Sequence, residues 1–223
     1  MIRHLLQLIW NQRKQNAWLW AELLLVSVFL WFLVDYLYVM GRTYTAPLGF
    51  DIRHTYSIVI SSLSERSPDY IPKEKRERPD GVHLLTALDR IRTYPGVESA
   101  CLTDGGMPYY MGSRNLVWRI DTLQVPCRYA FVTPEFFDVF RIYDKDGKTA
   151  SLKRAIEDNN SIVISADVET MNPGLSLLGQ KAYRGNVTDE IEETIRGISV
   201  PIRRHEYTKA EPNVYRALRL SRM

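Results

Sequence analysis

The chain has 223 residues, 45% of them hydrophobic and 25% charged, which leaves room for one large domain or two small ones. A net charge of +3 with no basic stripe excludes the electrostatic footprint of a nucleic-acid binder.

Residues 1–16 carry Arg3, Arg13, Lys14 and His4 and no acid. Ile2, Leu5, Leu6, Leu8 and Ile9 cluster on one side of this tail, while Arg3, Gln7, Asn11 and Lys14 fall opposite. The pattern fits a short amphipathic helix lying in a membrane interface, or a solvated start to the segment that follows.

Residues 17–40 read AWLWAELLLVSVFLWFLVDYLYVM, with only Glu22 and Asp35 charged. At about 1.5 Å per residue the stretch makes a helix of roughly 36 Å, enough to cross a hydrocarbon core of about 30 Å. Trp18, Trp20, Tyr36 and Tyr38 lie towards its ends, where amphipathic rings favour the headgroup level. A signal peptide has an apolar run of only about 7–15 residues and then a small-residue cleavage site. Gly41-Arg42-Thr43-Tyr44 is a poor one, so a retained transmembrane helix is expected. The positive-inside rule then puts the N-terminus in the cytoplasm and residues 41–223 outside it. A charge in hydrocarbon is expensive, so Glu22 and Asp35 either snorkel to the two interfaces or face partner helices.

Removing the three cations and two acids of residues 1–40 from the totals of 29 and 26 leaves the remainder nearly neutral. Its two cysteines, Cys101 and Cys127, allow one disulfide or two buried thiols. Tyr56–Ile60 is β-branched and predicts a strand, followed by a polar loop through 61–79 containing the charged run 73–78. Asp80–Tyr94 has helical spacing at Leu84, Leu88 and Ile91, with Val82 and Leu85 widening the face, and Pro95-Gly96 ends it. Strands are predicted at Val97–Thr103, at Leu116–Asp121 with Leu116, Trp118 and Ile120 on one face, and at Val125–Val132. Thr133-Pro134-Glu135 reads as an N-cap opening a short helix that supplies Phe136, Phe137, Val139 and Phe140 to a core. Further strands are expected at Ser161–Ser165, Lys181–Arg184 and Ile198–Arg203, with a helical stretch ending at Met171. Strands and helices do not alternate one for one, which favours an α+β domain over a parallel α/β sheet.

Catalytic and ligand motifs fail on inspection. Gly174 to Lys181 has the glycine spacing of a phosphate loop, but Gln180 replaces the lysine and Lys181 the metal-binding Ser or Thr. His4, His54, His83 and His205 lack the spacing of a zinc site. Asp144, Asp146 and Gly147 begin a calcium-like loop that has no glutamate at its twelfth position. Asn159-Asn160-Ser161 and Asn186-Val187-Thr188 match glycosylation acceptors, relevant only in a eukaryotic secretory pathway. No catalytic, cofactor-binding or metal-ligating residue is assigned, and no enzyme is expected.

The order of these segments is informative. The basic tail, the apolar helix, PLGFDIRHTYSIVI, IRTYPGVESACL, YAFVTPEFFDVFRI, SIVISADVETM and LLGQKAY together resemble the MacB-like periplasmic core domain in permeases of MacB/LolC/FtsX-type ABC transporters. The resemblance rests on Leu48-Gly49-Phe50-Asp51, Pro95-Gly96-Val97-Glu98, Thr133-Pro134-Glu135-Phe136-Phe137 and Leu178-Gly179-Gln180, spread over some 180 residues. It implies a cytoplasmic tail at 1–16, a transmembrane helix at 17–40 and a mixed α+β extracytoplasmic domain at 41–223. It also implies a bacterial inner-membrane permease, working as a homo- or heterodimer with a separate cytoplasmic ABC ATPase. ATP hydrolysis would be coupled to movement of the periplasmic domain against a partner or cargo, for export or mechanotransmission. That family usually has four spans. No second apolar stretch of about 20 residues follows Met40, so the chain is expected to be cut off after the core domain, or to be a degenerate member. A single-pass membrane-anchored sensor or scaffold is the rival reading.

Overall fold

The computed structural model describes residues 2–11, 14, 17–61, 63–72, 75, 79–110, 112, 114–158, 160–184 and 191–220. The side chains of Ile2, Leu5, Leu6, Leu8 and Ile9, most of the charged run 73–78, and the acceptor positions Asn159 and 186–188 lie outside the described residues. The chain divides into two units, Met1–Ala46 and Pro47–Met223.

The first unit contains α1 (Ile2–Asn11) and α2 (Ala17–Thr45). With 29 residues α2 is about 43 Å long. It runs five residues past the apolar stretch, and Thr45 closes its last turn by donating to the Gly41 carbonyl at 3.1 Å. A helix keeps every backbone bond inside the segment, the form an apolar solvent demands. None of its side chains is buried in the chain, and it is long and apolar enough to cross a membrane.

The second unit, here the C-terminal domain, is α+β. Its elements are α3 (Asp80–Arg92), β1 (Thr103–Asp104), β2 (Arg114–Ile120), β3 (Leu123–Val132), α4 (Phe136–Val139), α5 (Ala150–Glu157), β4 (Ser161–Ser165), α6 (Asp167–Met171), β5 (Lys181–Arg184), β6 (Ile191–Ser199) and β7 (Asn213–Ala217). The pairings run β3–β2–β5–β6–β4–β7 and return to β3, so six strands form a closed circuit, with β1 added to β3. β6–β4 and β7–β3 are parallel and the other pairs antiparallel. β2 and β3 meet in a tight hairpin, Ile120 opposite Leu123, where Asp121 adopts φ 52°, a left-handed conformation that aspartate tolerates.

Alternation along the strands sorts side chains between two cores. Trp118, Ile120, Val125, Cys127, Ile162, Ile164, Ala182, Ile195 and Val214 fill the inside of the circuit, closed by Val168 of α6 and Leu177. On the other face Ala130, Val132, Val163 and Tyr215 pack against Phe136, Phe137 and Phe140 around α4 and against Leu152, Ala155 and Ile156 of α5. β4 lies between the two cores and is buried throughout. Gly197 allows α5 to approach β6: a Cβ there would stand 2.8 Å from Val163 Cγ2 and 3.0 Å from Ala155 Cβ.

Several expectations are corrected. Tyr56–Ile60 is not a strand; Tyr56 and Val59 are 87% and 86% exposed, and no strand among the described residues pairs with them. β propensity describes fit to a pleated surface, and among the described residues no strand pairs with this segment. Val97–Thr103 is a strand only at its last residue, and Cys101 therefore lies outside the sheet. The strand expected at Ile198–Arg203 is Ile191–Ser199, and Arg203 makes only a single bridge with Ala210. Thr133 does not cap α4. Glu135 holds that position, and the Thr133 hydroxyl accepts the Leu102 amide at 3.2 Å. On α3, Leu88 is buried and Leu84 and Ile91 half-buried, but Val82 and Leu85 are exposed. α5 and β7 were not expected at all.

Candidate functional site

The apolar helix comes first. Glu22 and Asp35 are both exposed on α2 and make no hydrogen bond or ion pair with a described residue. Their carboxylates are therefore available to a headgroup or to another helix.

Immediately after α2, the Leu48–Asp51 segment is stitched into the C-terminal domain. The Leu48 carbonyl accepts the Arg203 amide at 3.0 Å, and the Asp51 amide donates to the Phe140 carbonyl at 2.9 Å. Phe50 packs on the core containing the α4 phenylalanines and meets the Tyr109 ring edge-on at 5.8 Å. The Asp51 carboxylate accepts from the Arg53 side chain and backbone and pairs with Arg141 at 3.0 Å, which holds it far below the usual carboxylate range.

Charge is concentrated in three further places. At one end of the strand circuit Glu193, 2% exposed, pairs with Arg216 and lies 3.5 Å from Arg184. Their strand neighbours Ala182, Ile162 and Trp118 belong to the interior core, so all three charges point inward. Arg216 also stacks over the Phe131 ring at 5.2 Å. A second group, Arg114, Arg128 and Arg204, lies where the 104–110 and 203–211 segments meet β3 and β7. The third is an open groove of about 530 Å³ lined by Glu98, Glu135, Asp138, Arg141 and Lys153 among others. Four of these charges are already matched: Glu135 with Arg92 at 2.7 Å, Asp138 with Lys153, and Arg141 with Asp51.

None of these places assembles a nucleophile with a base. Cys101 and Cys127 are free, and burial pushes both thiols up to about 12, so neither forms the reactive thiolate near neutral pH. Gly174 and Gly179 serve turns: the Gly179 amide donates to the Ile195 carbonyl at 2.8 Å. Asp144 accepts the amides of Asp146 and Lys148 and the Ser151 hydroxyl, a self-contained turn in place of a calcium loop. Among the described residues no group of three His, Cys, Asp or Glu side chains is placed to hold a metal ion. The sequence assigns no role to the inward charges, although it carries a signal for them: Glu193 shares the parity of Ile195, and Arg216 that of Val214.

No protein-family profile and no curated protein matches the chain. Among solved structures it is similar to the periplasmic region of MacB from Actinobacillus actinomycetemcomitans, with 10% identity over 60% of this chain and 54% of that one and a TM-score of 0.40. It is similar to a domain of a putative permease protein from Porphyromonas gingivalis, with 20% identity over 62% and 52% and a TM-score of 0.43. It also resembles the extracellular domain of the noncanonic ABC-type transporter YknZ from Gram-positive bacteria, with 13% identity over 59% and 60% and a TM-score of 0.41. The chain spans between half and three-fifths of the length of each of these neighbours.

Proposed function

We propose that this chain is a permease subunit, or the N-terminal portion of one, of a MacB/FtsX-type ABC transporter. α2 is then the first membrane span, the basic tail 1–16 faces the cytoplasm, and the C-terminal domain is extracytoplasmic. A separate ATPase in the cytoplasm binds and hydrolyses ATP, and α2 passes the resulting movement to the domain beyond it. The observation that carries this reading is the seam at Leu48 and Asp51. Only Ala46 and Pro47 separate the end of α2 from residues hydrogen-bonded within the C-terminal domain. The sequence resemblance supplies the family, and the residues that carry it sit at joints of the fold: Gly49 at this seam, Phe136 and Phe137 in the core, Gly179 in the turn against β6.

The test is affinity purification of the tagged chain from native membranes, with protease accessibility of the C-terminal domain in spheroplasts and inverted vesicles. Co-purification of an ABC ATPase, with the domain cleaved only in spheroplasts, is the expected result. Recovery without any ATPase, or cleavage only in inverted vesicles, overturns it. A single-pass anchored scaffold is the second reading. It too needs α2 as its membrane anchor, a helix long and apolar enough to cross a membrane.

A further inference from the structure

The pentapeptide Ser-Ile-Val-Ile-Ser occurs twice in this chain, at 57–61 and at 161–165. The second occurrence is β4, buried throughout and hydrogen-bonded to β6 and to β7. The first belongs to no strand. All five of its residues are exposed, and residues 56–61 make no hydrogen bond with a described residue. The same five side chains therefore form the most buried strand of the domain in one place and stand in solvent in the other. Composition does not keep 57–61 out of a sheet; the lack of a partner edge does.

The domain itself offers no such edge. Among the described residues six strands close on one another, and the remaining strand, β1, is two residues long. Nor does the segment carry the charged residues or prolines that usually protect a bare edge, since neither occurs between Thr55 and Ser64. Tyr56, Ile58, Val59, Ile60 and Leu63 are all exposed. An exposed apolar run of this kind marks an interaction surface.

Its order specifies what fits it. Ser-Ile-Val-Ile-Ser is the same in both directions, so two copies laid antiparallel about Val59 match residue for residue. Val59 meets Val59, Ile58 meets Ile60, and Ser57 meets Ser61. Tyr56, Ile58 and Ile60 share one parity, so one face of the ribbon is apolar, and β-branched pairs across strands are favourable. His54, at φ 63°, and the turn closed by the Ser67 amide on the Ser64 carbonyl bound the run at its two ends. Charge agrees with the same register. It sets Arg53 of one copy across from Glu65 of the other at both ends. The Arg53 side chain is largely in solvent, and Glu65 is exposed with no ion pair to a described residue.

We propose that residues 57–61 pair antiparallel with the same residues of a second copy of this chain, each supplying the strand neighbour that the other lacks. The contact uses one surface on both copies, so it closes at two and does not propagate. Two strands alone are marginal in water, so the pairing depends on protein concentration. It assigns a contact, which the family resemblance does not, and it survives the failure of the transporter reading.

The test uses the full chain in detergent micelles, with sedimentation equilibrium for size and copper–phenanthroline oxidation for register. Two copies per particle are expected, separating on dilution. Val59→Cys should cross-link about tenfold faster than Ser57→Cys. In this register Val59 meets its own counterpart within disulfide reach, whereas the two Ser57 positions stand about 14 Å apart. Both positions are exposed, so access alone predicts equal rates. The parent, which keeps Cys101 and Cys127, sets the background. Ile58→Glu should raise the dimer dissociation constant about tenfold or more, because it places a charge against Ile60 of the other copy. It should leave the melting temperature of the diluted monomer unchanged, since Ile58 is exposed in the single chain. Monomers at every concentration, equal cross-linking at the two positions, or a dimer that Ile58→Glu leaves intact would overturn the contact. Assemblies that keep growing with concentration would overturn its two-fold closure.

Discussion

The Arg203 amide reaches the Leu48 carbonyl at 3.0 Å, and this bond draws Gly49 against the backbone of Pro201. Gly49 has φ +82°, and a Cβ added there would penetrate the Pro201 carbonyl oxygen. Only glycine meets both conditions. Gly49→Ala should therefore destabilise the C-terminal domain by about 1–3 kcal/mol or more, read as a lowered urea midpoint. Gly174→Ala, also at positive φ but with nothing within 4 Å, separates the two causes: it carries the conformational penalty without the collision. Equal losses in the two variants would show that the close approach at Pro201 contributes nothing.

Glu193 is the interior's anion, with Arg216 and Arg184 as its partners. Removing one member of a buried ionic group leaves the others uncompensated, at a cost of about 3–5 kcal/mol. Glu193→Gln should show a loss of that order in denaturant unfolding. Replacing all three, as Glu193→Leu with Arg184→Met and Arg216→Met, should recover much of it, because no charge is then stranded.

The Asp51 carboxylate titrates far below its unfolded value, chiefly through the Arg53 side-chain hydrogen bonds and then through the Arg53 amide and Arg141. A depressed folded pKa contributes stability above the unfolded value, about 3.9 for aspartate, and that contribution fades as the pH falls below it. Thermal melts between pH 7 and pH 2.5 should show the parent losing stability faster than Asp51→Asn at the acid end. Parallel profiles would remove Asp51 from the acid response.

Cys101 and Cys127 should remain unpaired and slow to react. Alkylation by iodoacetamide at pH 8 should be sluggish in the folded chain and fast in urea, since the thiolate is the reactive form and both thiols are held near 12. A mobility difference between reduced and unreduced chain would reveal a bridge and contradict this.

Strands with strong alternation were legible from residues alone. Trp118 and Ile120 do face one core, and Ser161–Ser165 is a strand buried on both sides, as its unbroken β-branched run implies. The helix at Asp80–Arg92 was equally plain from Leu84, Leu88 and Ile91. α5 had a readable signal at Leu152, Ala155 and Ile156, three positions on one helical face, but it sits in a charged context. β7 had almost none: Val214 and Tyr215 stand among polar residues, and the segment becomes a strand because β3 and β4 both offer it free edges.

Local chemistry, then, is enough to define the apolar helix at Ala17–Met40 and most strands of the domain behind it, because hydrophobicity and alternation act over a few residues. Closure of the circuit, the inward pairing of Glu193 with Arg216, the seam at Gly49 and the exposed fate of Tyr56–Ile60 depend on partners tens of residues away. A strand exists only where a neighbour offers its hydrogen bonds, and a buried charge is tolerated only where its counter-ion arrives from another strand. A segment read alone can mark the face a residue takes, as Glu193 does by sharing the parity of Ile195, but not the partner from a distant segment that it meets there.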